Sequence, residues 1–331
     1  MISVDVASNA LGQVRVAISP LWESVASMQL LSHDRPVPWP YSAWAMSARR
    51  ALAGRPGADL VWWIRNLSGP VPPFLTPLPA APTRTFEEEL ADLRHTPTDL
   101  VGEQLARAGS TGGPGGSRDP GAWLRWYADA LEDYWQVALR PYWPMIGAAL
   151  REDVLLRGHT LATRGAAALL DQLEGRVRWE APRLVLAGPT PSAAIRCDRS
   201  LVIVPLLFGR RTIRCVSDDD GIVAVSFQAR GAAVLGSSKP GAGLRLGGPE
   251  RGDRLRILVG RARAAVLRGL TAPTTTSTLA NSLGLSASTV SEHLSALVAA
   301  NVVQRRRVGG RVLYELDHTG SALLEYLDND A

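Results

Sequence analysis

Apolar and polar positions alternate at the start of the chain, so residues 2–6 and 14–18 read as half-buried strands. The Ser8-Asn9-Ala10-Leu11-Gly12 interval between them suggests a hairpin turn. The period then lengthens to that of helices. Ser19-Pro20 places a capping hydroxyl before a proline at the first helical position, Thr96-Pro97 and Asp119-Pro120 repeat the signal, and Thr85 with Glu88 makes a capping box. From 144 to 174 the positions Ile146, Leu150, Val154, Leu161, Leu169 and Leu173 recur mostly at helical spacing and predict one long helix. Short β-prone runs follow at 184–186, 201–204, 212–216 and 222–227, the last after an Asp220-Gly221 turn. The first part of the chain is thus expected to be α+β, mostly helical with a small sheet.

The pattern breaks at 236–252, a stretch rich in glycine with prolines at 240 and 249, a composition few packed elements tolerate. A length of 331 residues exceeds the usual single domain. All ten tryptophans lie between Trp22 and Trp179, which separates the two parts further. The expected organisation is an N-terminal effector or interaction domain at 1–235, a flexible linker at 236–252 and a second domain at 253–331. A second glycine-rich stretch, 109–121, reads as an exposed loop within the first domain.

Residues 278–297, TLANSLGLSASTVSEHLSAL, carry the spacing of a helix-turn-helix. Ala280 is small where two helices must approach, Gly284 can take the positive φ that ends the first helix, and Leu285 plugs the turn. Ser286 can cap the second helix. On a helical wheel Ala287, Val290, Leu294, Leu297 and Val298 share a core face. The opposite face presents Ser288, Thr289, Glu292 and Ser295, with Ser291 and His293 on its flanks, groups able to reach base edges in a major groove. Downstream, 302–316 reads VVQRRRVGGRVLYEL, two β-prone runs joined by Gly309-Gly310, a hairpin wing carrying Arg305, Arg306, Arg307 and Arg311. Between Arg251 and Leu316 ten arginines stand against Asp253, Glu292 and Glu315, a surface that phosphates attract. The whole chain has a net charge of +5, with every basic residue but Lys239 an arginine.

The order of helix 254–270, helix 276–283, helix 287–300, hairpin 302–316 and helix 318–327, with the phrase STVSEHLSALVAANVV before an arginine-rich Gly-Gly wing, resembles the ArsR/SmtB family of winged-helix transcriptional regulators. The layout is similar to the longer actinobacterial members with a large N-terminal domain of unknown function. The resemblance implies a cytoplasmic transcription factor, a repressor by family habit. It would bind a two-fold operator in double-stranded DNA as a homodimer paired through its first and last helices, with the helix from Ala287 in the major groove. Leu255, Leu258, Ala262 and Val266, then Leu323, Leu324 and Leu327, are the implied interface candidates. DNA contacts fall to Ser286, Ser288, Thr289, Ser291, Glu292, His293 and Ser295, and to Arg305, Arg306, Arg307 and Arg311 on the wing. Two departures matter. The family's metal sensors use paired cysteines before the recognition helix or an Asp-His plus His-Glu set on the last helix. Here 271–286 has no cysteine, and Asp317, His318 and Glu325 lack a second histidine, so no metal is expected. Glu292 stands where the family more often has a basic, aromatic or amide side chain; it can accept from cytosine N4 and repels phosphate.

Hydrophobic residues at 46% and charged residues at 20% exclude a disordered tail, no apolar run is long enough for a bilayer, and the start lacks the layout of a signal peptide. Cytoplasm is the default, with no membrane partner. Cys197 and Cys215, on adjacent predicted strands, are read as buried thiols. Trp123, Trp126, Trp135 and Trp143 sit in helical sequence as core, although such rings also line ligand pockets. No carboxylate pair or nucleophilic triad can be assembled, so no enzyme activity and no cofactor are expected. The first domain is read as sensing a small molecule or partner. The rival readings make it an enzyme or an interaction scaffold with the winged helix as an appendage.

Overall fold

The computed structural model describes residues 2–33, 37–109, 119–173, 176–187, 193–210, 213–236, 254–270, 272–308 and 310–328. The linker at 236–252, apart from Gly236, and most of the glycine-rich loop at 109–121 lie outside the described residues. In chain order the elements are β1 (Ile2–Val6), α1 (Ser8–Leu11), β2 (Arg15–Val16), α2 (Pro20–Leu31), α3 (Ser42–Leu52), α4 (Pro56–Arg65), α5 (Phe86–Arg94), α6 (Thr98–Arg107), α7 (Pro120–Tyr134) and α8 (Trp143–Leu170). Six strands follow, β3 (Val177–Glu180), β4 (Arg183–Leu186), β5 (Ala193–Cys197), β6 (Ser200–Leu206), β7 (Cys215–Ser217) and β8 (Ile222–Gln228). The last part comprises α9 (Arg254–Val259), α10 (Arg261–Gly269), β9 (Thr274–Thr275), α11 (Thr276–Leu283), α12 (Ala287–Ala299), β10 (Val303–Val308), β11 (Arg311–Leu316) and α13 (His318–Asp328). The class is α+β. Contacts group the chain into two compact units, one of residues 1–36, 48–141 and 150–229, the other of 37–47, 142–149 and 230–331.

The first unit holds two four-stranded sheets, ordered β3-β4-β1-β5 and β2-β6-β8-β7. Strands β6 and β8 run parallel from Ser200↔Ile222 to Leu206↔Gln228. Every residue of β6 is buried, as an unbroken apolar run requires when both faces of a parallel pair are covered. Val4, Leu169, Leu184, Leu201, Val223 and Phe227 meet in one core. Aromatic packing supports the helices. Trp123 stacks on Tyr127 at 5.0 Å and lies 5.1 Å from Trp63, and Phe86 stacks on Trp135 at 4.3 Å. Trp123 and Trp135 are core residues, Trp126 and Trp143 are half-buried, and Trp62 stands exposed.

Among the described residues five charged side chains sit in this interior, Glu23, Glu89, Asp153, Arg157 and Arg214. Glu23 of α2 accepts from the backbone N–H groups of Leu207 and Phe208, and burial pushes its carboxyl up to about 8. Arg157 pairs with Asp153 one turn earlier at 2.8 Å and lies 4.3 Å over the ring of Phe227. Arg214 donates to Thr76 Oγ1 at 2.8 Å and to the Val71 carbonyl, and burial lowers its pKa to about 10.

Several local readings need correction. The expected hairpin of 2–6 and 14–18 does not form: α1 intervenes, β1 pairs with β4 and β5, and β2 pairs with β6 in the other sheet. The long helix ends at Leu170, and Gly165 breaks it with φ 80° and ψ 174°, a conformation no helix contains. Helix 254–270 is likewise two helices, because Gly260 at φ 82° separates α9 from α10. After Thr96-Pro97 the helix starts one residue late, at Thr98, without a side-chain cap; the Thr96 hydroxyl instead donates to Leu93 O at the end of α5. The signals at Ser19-Pro20, Asp119-Pro120 and Thr85/Glu88 act as read, each side chain accepting from backbone N–H groups of the first turn. Cys197 and Cys215 lie on β5 and β7, strands of different sheets sharing one core.

In the second unit Leu255, Val266, Leu279, Val290, Leu294 and Val303 form the core around the helix-turn-helix. Strand β9, unforeseen in the sequence, extends the hairpin to the order β10-β11-β9. The run Thr274 to Thr276 was the signal, since β-branched residues favour extended backbone.

Candidate nucleic-acid interface

The geometry of α11, its turn and α12 follows from a few small residues. Thr275 caps α11 by accepting from Thr278 N at 3.2 Å. Gly284 ends it at φ 61° and ψ 31°, its N–H returning to Ala280 O. Left-handed backbone of this kind costs an L side chain about 1–2 kcal/mol and glycine nothing. Leu285 N also donates to Ala280 O at 3.1 Å, and its side chain packs on the core. Ser286 then caps α12, accepting from Thr289 N at 3.1 Å.

Val290, Leu294 and Leu297 point inward with Val298 packed beside them, which fixes the other side of α12 outward. Ala287 is the exception on the expected core face: at the first turn it lies exposed. Ser288, Ser291, Glu292 and Ser295 are exposed along one stripe, as their three- and four-residue spacing requires. Thr289 and His293 are half-buried at its margins. The hydroxyls at the start of the helix form a cluster, Ser286 Oγ lying 2.7 Å from Ser288 Oγ and 2.8 Å from Thr289 Oγ1. Ser295 donates back to Ser291 O at 2.8 Å, so its hydroxyl offers lone pairs outward and keeps its proton on the helix. The stripe therefore presents acceptors and rotatable hydroxyls, with one carboxylate at Glu292.

The wing packs its root and exposes its shaft. Val303 is buried opposite Leu316, and Leu313 is buried where β11 pairs with Thr275 of β9. Arg305, Arg306, Arg307 and Arg311 are all exposed. The register sets Arg305 opposite Tyr314, Arg306 opposite Leu313 and Arg307 opposite Val312. Cross-strand partners share a face and neighbours along a strand alternate. Arg305 and Arg307 therefore leave one face of the ribbon and Arg306 the other, where its Nε lies 4.0 Å from Glu315. Gly310 closes the tip at φ 80°, a turn conformation that suits glycine; Gly309 lies outside the described residues.

The remaining site expectations divide. Leu255 and Val266 are consumed by the unit's own core, whereas Leu258 is 64% exposed and Tyr326, on the packed neighbour α13, is 71% exposed. Leu323, Leu324 and Leu327 are partly buried against the same core. Asp317 is spent as a cap, its Oδ1 accepting from Gly320 N at 2.7 Å. Burial pushes the Cys197 thiol up to about 11 and Cys215 to about 12, which keeps both protonated and unreactive at neutral pH. Sequence reading also missed residues 232–236, a short 3-10 turn that packs against α11, the helix behind the exposed stripe.

A family model described as a helix-turn-helix domain matches residues 261–306, from the first residue of α10 to the wing arginines. No curated protein and no solved structure matches the chain. The chain carries a C-terminal helix-turn-helix domain in an α+β fold, the kind of domain through which DNA-binding regulators act. Among the described residues no helix is long and apolar enough to cross a membrane.

Proposed function

We propose that the chain is a transcriptional regulator of the ArsR/SmtB winged-helix type. It represses by binding a two-fold operator as a homodimer, and its first unit receives a small-molecule or protein signal. The reading rests on one observation above the others: α12 turns the stripe Ser288, Ser291, Glu292 and Ser295 outward while the adjoining wing exposes four arginines. Hydroxyls and a carboxylate on a helix suit base edges, and guanidinium groups on a ribbon suit phosphates, so specificity and affinity fall to different elements. The exposed Leu258 and Tyr326 supply apolar surface where paired first and last helices would meet.

Operator duplexes recovered by sequencing the genomic fragments that co-purify with the protein provide the substrate for a titration at several salt concentrations. Arg305→Ala and Arg311→Ala are each expected to weaken binding about equally for all sequences and to lower the slope of log K against log salt by about one unit. Ser288→Ala and Glu292→Gln are expected to leave the slope alone and alter sequence preference. Unchanged slopes in the arginine variants would remove the wing from the DNA surface.

A further inference from the structure

The first unit contains a cavity of about 80 Å3 bounded by the Pro77-Leu78-Pro79-Ala80 segment and by Arg84, Glu89 and Asp92 at α5. The proline segment is fastened to α2 because Trp22 Nε1 donates to Pro77 O at 2.9 Å. Arg84 forms an ion pair with Asp92 and also donates to Glu88 O at 3.3 Å, so its charge is committed. Glu89 is 6% exposed. Its Oε2 accepts from Ser19 Oγ and from Leu21 N, both at 2.9 Å, while Oε1 has no hydrogen-bond partner among the described residues.

Capping α2 does not explain this carboxylate. Ser19 already caps the helix by accepting from Trp22 N, and a single neutral acceptor would serve Leu21 N equally. A nearly buried carboxylate is costly unless it takes up a proton or a counter-charge reaches it. With Glu89 ionised the cavity wall carries two carboxylates against one guanidinium, a net negative charge that disfavours any anion. A water needs roughly 10–15 Å3 of such space, so there is room for a group of several heavy atoms. We propose that this cavity binds a small organic cation, an alkylammonium or guanidinium head group, with Glu89 Oε1 as its charge partner and the Pro77 and Pro79 rings as apolar walls.

Burial raises the Glu89 carboxyl to about 7; its hydrogen bonds from Leu21 N and Ser19 and the charge of Arg84 oppose the rise, and Asp92 adds to it. A bound cation competes with that proton. Calorimetric titration of the full chain with guanidinium chloride, against urea of the same shape and no charge, tests the site without DNA. Ionic strength is held with sodium chloride, and guanidinium stays below denaturing concentrations. Saturable binding of guanidinium is expected, absent for urea, about tenfold tighter at pH 8 than at pH 6, with proton release seen as a buffer-dependent heat. Glu89→Gln, which keeps an acceptor for Ser19 and Leu21, should reduce binding at least tenfold. Absence of guanidinium binding, equal binding of urea, or an unaffected Glu89→Gln protein overturns the proposal. Should that variant fail to fold, an affinity independent of pH in the unmodified chain overturns it equally.

Discussion

Glu23 shows what a single residue can conceal. Nothing in the string Trp22-Glu23-Ser24 marks it for burial, yet it is fully buried, because the N–H groups that donate to it belong to Leu207 and Phe208, far along the chain. Its carboxyl titrates near 8 folded and near 4.5 unfolded. Between those values the native state holds a proton the unfolded chain has lost, so this group's contribution to stability falls as pH rises. The stability of Glu23→Gln relative to the unmodified protein should therefore rise from pH 5 to pH 8, by up to about 1.4 kcal/mol per unit. Urea melts of both proteins at each pH measure it, and a flat or falling difference would place the carboxylate in water. The residues of α12 were legible by contrast, because Gly284, Ser286 and the Val290-Leu294-Leu297 spacing act on neighbours within two turns. The buried Arg157 and Arg214 were not, since a guanidinium's burial depends on partners that local pattern does not disclose.

At the scale of elements, strength of local chemistry decides what can be read. Helix starts with a hydroxyl or carboxylate cap were visible, and so were helix α11 and the wing, whose strands are joined by two residues. The pairing of β1 was not, because its neighbours are Arg183 to Leu186 and Ala193 to Cys197, and nothing in the first twenty residues encodes that register. Strand β5 was read only at its end, through Cys197, for a related reason: most of it is exposed, so it lacks an apolar signature. Glycines mark where elements press together. A Cβ on Gly320 of α13 would collide with the carbonyl oxygen of Val302 and lie 3.1 Å from the Leu316 side chain. Gly158 in α8 faces open space within 4 Å. Gly320→Ala should destabilise the second unit by about 1–3 kcal/mol, whereas Gly158→Ala should be neutral or stabilising by up to about 1 kcal/mol. Thermal unfolding of the two variants side by side separates crowding from propensity; equal shifts would mean α13 does not sit closely on the strand entrance.

For the molecule as a whole the prediction concerns association. Leu258 and Tyr326 lie on α9 and α13, which pack together, and both leave most of their surface to solvent. If that surface pairs two copies, Leu258→Asp should shift sedimentation toward the monomer and lower operator affinity without changing the salt slope per protomer. A variant that sediments as the unmodified protein does would place the dimer contact elsewhere. Gly260 adds a break between α9 and α10 that a single continuous helix would have lacked, so the orientation of Leu258 is set apart from that of the recognition helix. The arginine ribbon also constrains how a duplex is gripped. With Arg305 and Arg307 on one broad side and Arg306 on the other, a ribbon lying flat would engage a single rim of a furrow, while one inserted edge-on touches both polyanionic rims together. Radical cleavage of a bound duplex should then leave paired, staggered shadows on opposite strands at the same narrow furrow.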